Sequence, residues 1–225
     1  MSGIQTIIDS CQTVEFDRRR IVAQSISRSQ RTRVAERTSA QPWTFKVTPK
    51  AVWSYSSNRD LIESITLTDR FSETEINLAN NTKLQYLTSY QGKLTNTQLS
   101  ALTVTNFVTA TMTVNGLPSI GGTDKNGNAI TSSTVIFAAG DFIQPNNSRY
   151  PYTVTAPVLR GSTSTVSIIT NRPRITSESV TITGPLKIGN NVTWRMVIAE
   201  LPTFQLVPYN RFQWTGDFSL IEKVI

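Results

Sequence analysis

The sequence predicts a mainly β protein, a β-barrel or β-sandwich with one or two short helices and an extended Arg-rich N-terminal arm. Three observations predict it. Threonine and serine make up about a quarter of the 225 residues, whereas a helical bundle would draw on Ala, Glu, Lys and Leu. Short apolar runs recur at roughly ten-residue spacing through the second half, broken by Gly, Pro and Asn, which is the pattern of barrels and sandwiches. No helical period is sustained there.

The elements follow in order. Ile4, Ile7 and Ile8 mark one short amphipathic turn or strand, and Ile21–Ile26 a possible strand. The stretch from Ser25 to Ala40 is polar and reads as extended. Trp43, Phe45 and Val47 alternate with Thr44, Lys46 and Thr48, the period-two signature of a strand bracketed by Pro42 and Pro49. Residues 57–69 form the best helix, with Ser57 and Asp60 placed as a capping box and Leu61, Ile62 and Ile65 on one face. Glu75–Leu78 and Leu84–Tyr90 read as strands joined by a turn at Asn80 and Asn81. Thr95 and Gln98 form a second capping box, ahead of a short helix to about Leu102.

Beyond it Phe107–Val114 alternates, and Val135–Phe137, Tyr152–Val158 and Thr165–Ile169 are short strands. Val180–Ile188, Val192–Ile198, Phe204–Val207 and Phe218–Val224 complete the set. Gly189-Asn190-Asn191 fits a hairpin turn between two of them. No long linker separates the halves. The expected organisation is a docking arm over residues 1–40 and a single β-rich domain over 41–225.

Charge singles out the arm. Of the formal net charge of +7, residues 18–37 contribute +6: Arg18, Arg19, Arg20, Arg28, Arg31, Arg33 and Arg37 against Glu36. All seven cations are arginine, the side chain suited to bidentate pairing with carboxylates and phosphates. The arm therefore reads as a partner-docking interface for an acidic surface. A nucleic-acid reader would interleave aromatic residues, and none lies between Phe16 and Trp43. A solvated strand with outward cations is the plainer alternative.

Chemistry is scarce. There is no histidine and one cysteine, which excludes histidine-dependent triads, His-ligated zinc and an intramolecular disulfide. Cys11 has no base to activate it and reads as buried. Asp124, Asn126 and Asn128 echo the start of a calcium loop, but Ala129 and Val135 stand where the motif needs Gly and Glu, so a hairpin tip is expected. Gly140-Asp141 reads as a turn. Glu73 and Glu75 are two apart and read as a solvated edge, with glycoside hydrolysis as the functional alternative. Ser162 lacks a nucleophile elbow. No cofactor, no metal and no enzyme activity are expected. Trp43, Trp53, Trp194 and Trp214 fill a core or interface, or else form a sugar-stacking platform. No apolar run approaches the roughly 20 residues of a membrane span, and no signal-peptide core is visible.

Several segments taken together carry a resemblance. They are Arg28-Ser-x-x-Arg-x-Arg33, Pro42-Trp-x-Phe-x-Val-Thr-Pro49, Asn58-Arg-x-Leu-Ile-Glu63 and Tyr90-Gln-Gly92. Gly140-Asp-Phe-Ile-Gln144, Arg149-Tyr-Pro-Tyr152, Val158-Leu-Arg-Gly-Ser162 and Asn171-Arg-Pro173 follow, then Leu201-Pro-Thr-Phe204 and Glu222. In this order, over residues 16–225, the chain resembles virion structural proteins of large contractile-tailed phages, in particular those of marine cyanobacteria. The resemblance implies a non-enzymatic tail-tube or baseplate-hub ring component. Its location would be the virion tail, after synthesis in the host cytoplasm. The implied partners are further copies in a ring and other tail or baseplate proteins, with no membrane and at most transient passage of nucleic acid through a channel. A neck, fibre-attachment or capsid-surface role is one alternative, and a carbohydrate-binding host-recognition module another.

Overall fold

A computed structural model describes residues 2–17, 22–26, 32–36, 42–69, 72–175 and 182–224, with backbone alone at 22–26, 32–36 and 68–69. Helix α1 (Gly3–Ser10) opens the chain, with Ile4, Ile7 and Ile8 buried along one face. Strands β1 (Thr13–Asp17), β2 (Val22–Ile26), β3 (Thr32–Glu36) and β4 (Thr44–Thr48) follow. β5 (Trp53–Ser54) leads into α2 (Arg59–Ser64), which continues as a π-helical turn over Ile65–Asp69. Next come β6 (Thr74–Ile76), α3 (Asn96–Ser100), β7 (Thr103–Val108) and β8 (Thr111–Asn115). The remaining strands are β9 (Val135–Phe137), β10 (Phe142–Pro145), β11 (Tyr152–Thr153), β12 (Val158–Leu159) and β13 (Val166–Ile169). They end with β14 (Gly184–Ile188), β15 (Trp194–Glu200), β16 (Phe204–Val207), β17 (Arg211–Trp214) and β18 (Phe218–Glu222).

The protein is mainly β, as its composition implies, and its sheets are antiparallel. A five-stranded sheet has the order β1-β4-β18-β15-β6, and a six-stranded sheet the order β11-β10-β14-β7-β8-β13. The second is a half-barrel. Its two edges meet beyond β11 and β13 through a Val154–Thr170 bridge and the bonds Thr155 N to Ile169 O (3.0 Å) and Asn171 N to Thr153 O (2.9 Å). A third sheet, β16-β17-β5, flanks the first.

Each large sheet has its own core. In the first, Trp194 packs edge-to-face with Trp43 and Phe45, in a core that also takes in Ile4, Ile7 and Ile8 of α1. Phe142 belongs by strand to the second sheet but lies in the first core, 5.6 Å from the Trp43 ring and 5.5 Å from Trp194. The two cores are therefore stitched together by an aromatic side chain. Hydrogen bonds reinforce the seam: Gln144 Nε2 donates to Thr193 O (3.2 Å), and Thr193 N donates to Gln144 Oε1 (2.9 Å).

The structure revises several local expectations. Residues 3–17, read with the arm, are built into the body: α1 fills the first core and β1 pairs with β4 from Thr13↔Thr48 to Asp17↔Thr44. Leu84–Tyr90 is not a strand. The Asn81 side chain accepts from Lys83 N and Leu84 N (both 3.1 Å), turning the chain into a 3-10 segment over Gln85–Leu87. Phe107–Val114 is split into β7 and β8 by a turn at Thr109, whose φ is 49°. Gly189–Asn191 is a 3-10 turn, and it joins strands of different sheets rather than closing a hairpin. The capping box at Thr95 and Gln98 forms with both of its hydrogen bonds.

Candidate functional site

The arginine segment is built on a nested hairpin. β2 pairs with β3 from Val22↔Glu36 to Ile26↔Thr32, inside the outer pair of β1 and β4. Because Asp17 and Thr44 are directly paired, the intervening chain leaves and rejoins the body at one place. The ribbon pairs with no third strand among the described residues. Cross-strand partners share a side of a ribbon. One side therefore holds Val22, Gln24, Ile26, Thr32, Val34 and Glu36, and the other Ala23, Ser25, Arg33 and Ala35. Of the seven arginines expected to dock, only Arg33 lies in a described element. Arg18, Arg19, Arg20, Arg28, Arg31 and Arg37 lie outside the described residues.

The other resemblance motifs converge inside the body. Arg172 and Glu222, fifty residues apart, form a buried bidentate ion pair with side-chain exposures of 5% and 0%. The contacts are Nη1 to Oε2 at 2.5 Å and Nη2 to Oε1 at 2.8 Å. Arg172 Nη2 also donates to Pro151 O (2.7 Å), and Trp43 N donates to Glu222 Oε2 (3.1 Å). The guanidinium lies over Tyr152 at 5.3 Å and over Trp43 and Tyr150 at 5.9 Å. Three separate motifs thus surround one charge pair that joins β18 of the first sheet to the rim of the half-barrel. Sequence reasoning did not assign this pair, because nothing in either segment names its partner.

Asp141 is a second buried latch. Its Oδ1 accepts from Gln91 N and its Oδ2 from Ala138 N, both at 2.8 Å. Burial pushes its carboxyl above the ordinary range, and the N–H donors oppose that shift. Beside it the Tyr90 hydroxyl donates to Ile136 O and accepts from Leu94 N (3.1 Å). A side chain at Gly92 would run into Tyr90 Oη and Ile136 O, so this motif admits only glycine. Replacing Asp141 with Asn should cost about 1–3 kcal/mol, since an amide can accept one of these N–H bonds but turns a donor toward the other. Chemical denaturation compared with wild type checks this, and an unchanged midpoint would show that the latch carries no stability.

The remaining candidates are structural in place. Asp124 Oδ1 accepts from Asn126 N and Asn128 N (2.8 Å each), closing the expected loop tip. The Asn128 N–H bond leads the causes that lower its pKa. No cluster of acidic or sulfur ligands able to hold a metal occurs among the described residues. Glu73 is drawn to Arg195 (2.8 Å), Arg149 (3.7 Å) and Lys223 (3.8 Å), and Glu75 to Arg195 (3.7 Å). These carboxylates form a half-exposed ion-pair cluster with those cations. Trp43, Trp53 and Trp194 are buried, and Trp53 Nε1 donates to Lys50 O (2.9 Å). Trp214 borders a cleft of about 480 Å³, shared with Thr66, Ile198, Ala199, Leu201, Pro202 and Phe204.

Cys11 is buried. Its Sγ donates to Ile8 O (3.1 Å) and accepts from Asn81 Nδ2 (3.4 Å). Burial pushes the thiol up to about 11, so the thiolate is scarce at neutral pH. Iodoacetamide at pH 8 should label the native chain far more slowly than the urea-unfolded chain. Equal rates would mean that α1 opens readily.

Comparison with protein-family models gives no match, and comparison with curated protein sequences gives none either.

Proposed function

We propose that this chain is a non-enzymatic structural protein of a phage virion, a ring component of the tail-tube or baseplate-hub type. In this reading the β body packs side by side with further copies. The arginine-rich segment of residues 18–41 docks on a neighbouring tail protein, and nucleic acid does no more than pass through the channel. The observation that carries it is +6 of charge on a segment that leaves and rejoins the body at one paired point and whose β2–β3 pair joins no third strand among the described residues. Several motifs of the resemblance support the same reading, since Arg172 with Glu222, Asp141 and Arg160 all serve architectural contacts. Among the described residues no helix is long and apolar enough to cross a membrane.

The alternative structural roles, at the neck, a fibre attachment or the capsid surface, differ in partner and not in mechanism. The glycan-binding reading has less support, because three of the four tryptophans it would use are buried.

The test exploits the geometry of the ribbon. A short turn replaces residues 18–41, joining Asp17 to the start of β4, and the variant gene is expressed in infected cells in place of the normal one. The protein should fold but be missing from purified particles by mass spectrometry. Incorporation at the normal copy number would overturn the docking role.

A further inference from the structure

Two asparagines of this chain are followed by glycine, in Asn115-Gly116 and Asn126-Gly127. Such a pair can modify itself. The glycine nitrogen attacks the asparagine Cγ, because no Cβ on the glycine obstructs the approach. The new N–Cγ bond closes a succinimide ring as the Cγ–Nδ2 bond breaks and ammonia leaves. Water then opens the ring at one of its two carbonyls. The product is aspartate, or isoaspartate where the main chain now runs through the former side chain. The reaction consumes only water, and base favours it by removing the glycine N–H proton.

The fold treats the two pairs differently. Asn115 ends β8 in register with Thr103 of β7, and its Oδ1 accepts a hydrogen bond from Thr103 Oγ1. Gly116 beside it is packed so closely that a Cβ would run into Ala101 O. Bringing the Asn115 Cγ onto the next nitrogen therefore costs a side-chain bond and a strand pairing. Asn126 lies at the loop tip beyond the Thr123–Ala129 bridge, and both it and Gly127 are exposed. Its side-chain amide has no hydrogen-bond partner among the described residues. A Cβ on Gly127 would meet nothing within 4 Å. The restraint there is one exposed turn bond, from Gly127 N to Asp124 O at 3.1 Å.

We infer that Asn126 is a site of spontaneous deamidation in the folded protein, and that Asn115 is protected from it. The isoaspartate product releases the loop. Asp124 Oδ1 accepts from both Asn126 N and Asn128 N, and an added main-chain methylene between those donors prevents both bonds from holding. A new carboxylate also arrives near that of Asp124, lowering the net charge from +7 by one. The loop is tied to the body through Lys125, whose N donates to Lys93 O (2.9 Å) and whose Nζ lies 5.3 Å over the Tyr90 ring. Deamidation thus loosens, with age, a loop that rests on the Tyr90 segment. This holds whatever the protein assembles with.

The full-length chain is kept in warm buffer at pH 8, folded or unfolded in guanidinium chloride, and followed by ion-exchange chromatography and peptide mass mapping. The folded chain should gain acidic forms with aspartate and isoaspartate at position 126 and not at 115. The unfolded chain should gain them at both. Asn126→Ser should abolish the acidic forms of the folded chain over the same period. In the purified isoaspartate form the Asn128 amide should exchange with solvent faster than in fresh protein, as read by NMR. A folded chain unmodified at 126 while the unfolded chain reacts there, or one modified at 115 equally fast, overturns the assignment of the site. Unchanged exchange at Asn128 overturns the release of the loop.

Discussion

Arg172→Ala should destabilise the protein by about 3–5 kcal/mol, the range found when one partner of a buried ion pair is removed. The cost arises mainly from what is left behind. Glu222 keeps a carboxylate with no exposure, loses both guanidinium bonds and retains only the Trp43 N–H. Pro151 O loses a donor as well. Arg172→Lys should fall between, because an ammonium cannot supply the bidentate fork. The double variant Arg172→Met with Glu222→Leu should lose much less than the sum of the single changes, since no charge remains buried. Urea unfolding of the four proteins forms a cycle that isolates the pair. An Arg172→Ala protein with wild-type stability would show that the two cores are not joined through this contact.

Removing residues 1–12 should prevent folding, whereas replacing residues 18–41 with a turn should leave the melting temperature nearly unchanged. The contrast follows from where each segment sits. Ile4, Ile7 and Ile8 are buried in the first core, and truncating even one isoleucine to alanine in such a site costs about 2–5 kcal/mol. Loss of all three, about 6–15 kcal/mol, is as large as the whole stability of an ordinary domain, about 5–15 kcal/mol. Among the described residues the ribbon pairs with no strand of the body, and the chain either side of it is already brought together by the Asp17–Thr44 pair, so a shorter connection demands no rearrangement. Circular dichroism melts distinguish the two variants. A folded protein lacking residues 1–12 would place α1 outside the structural core. Unfolding of the ribbon replacement would make the ribbon part of the body.

Much of this fold was legible because its strongest signals are local. Alternation at Trp43, Phe45 and Val47 marks β4, and the Thr95 and Gln98 side chains bond reciprocally as the spacing of their residue types requires. The misreadings occurred where a distant or unusual interaction overrides local preference. Leu84–Tyr90 has strand-like composition, but the buried Asn81 amide, donating to Ile8 O at 2.7 Å, holds the preceding turn against α1. Thr109 adopts positive φ with neither Gly nor Asn to announce a hairpin. At Gly189–Asn191 the turn itself was visible, yet which strands lie either side of it depends on pairing far along the chain.

The candidate site divides the same way. The arginine cluster is a matter of composition and stands out in the sequence. The Arg172–Glu222 pair is not, since nothing near either residue points to the other until folding closes fifty residues of chain. The motifs that carry the resemblance are better understood from this side. Pro42-Trp, Arg149-Tyr-Pro-Tyr152, Asn171-Arg-Pro173 and Glu222 are fragments of one buried contact.

The central claim is that the protein functions by assembly, with the ribbon as its reach toward a neighbour. Electron cryo-microscopy of intact particles, with this chain traced in the map, tests it most directly. The expected result is a ring of copies around the tail axis, residues 18–41 of each lying on an adjoining subunit. Particles without the chain, or copies in which those residues pack only against their own body, would contradict it.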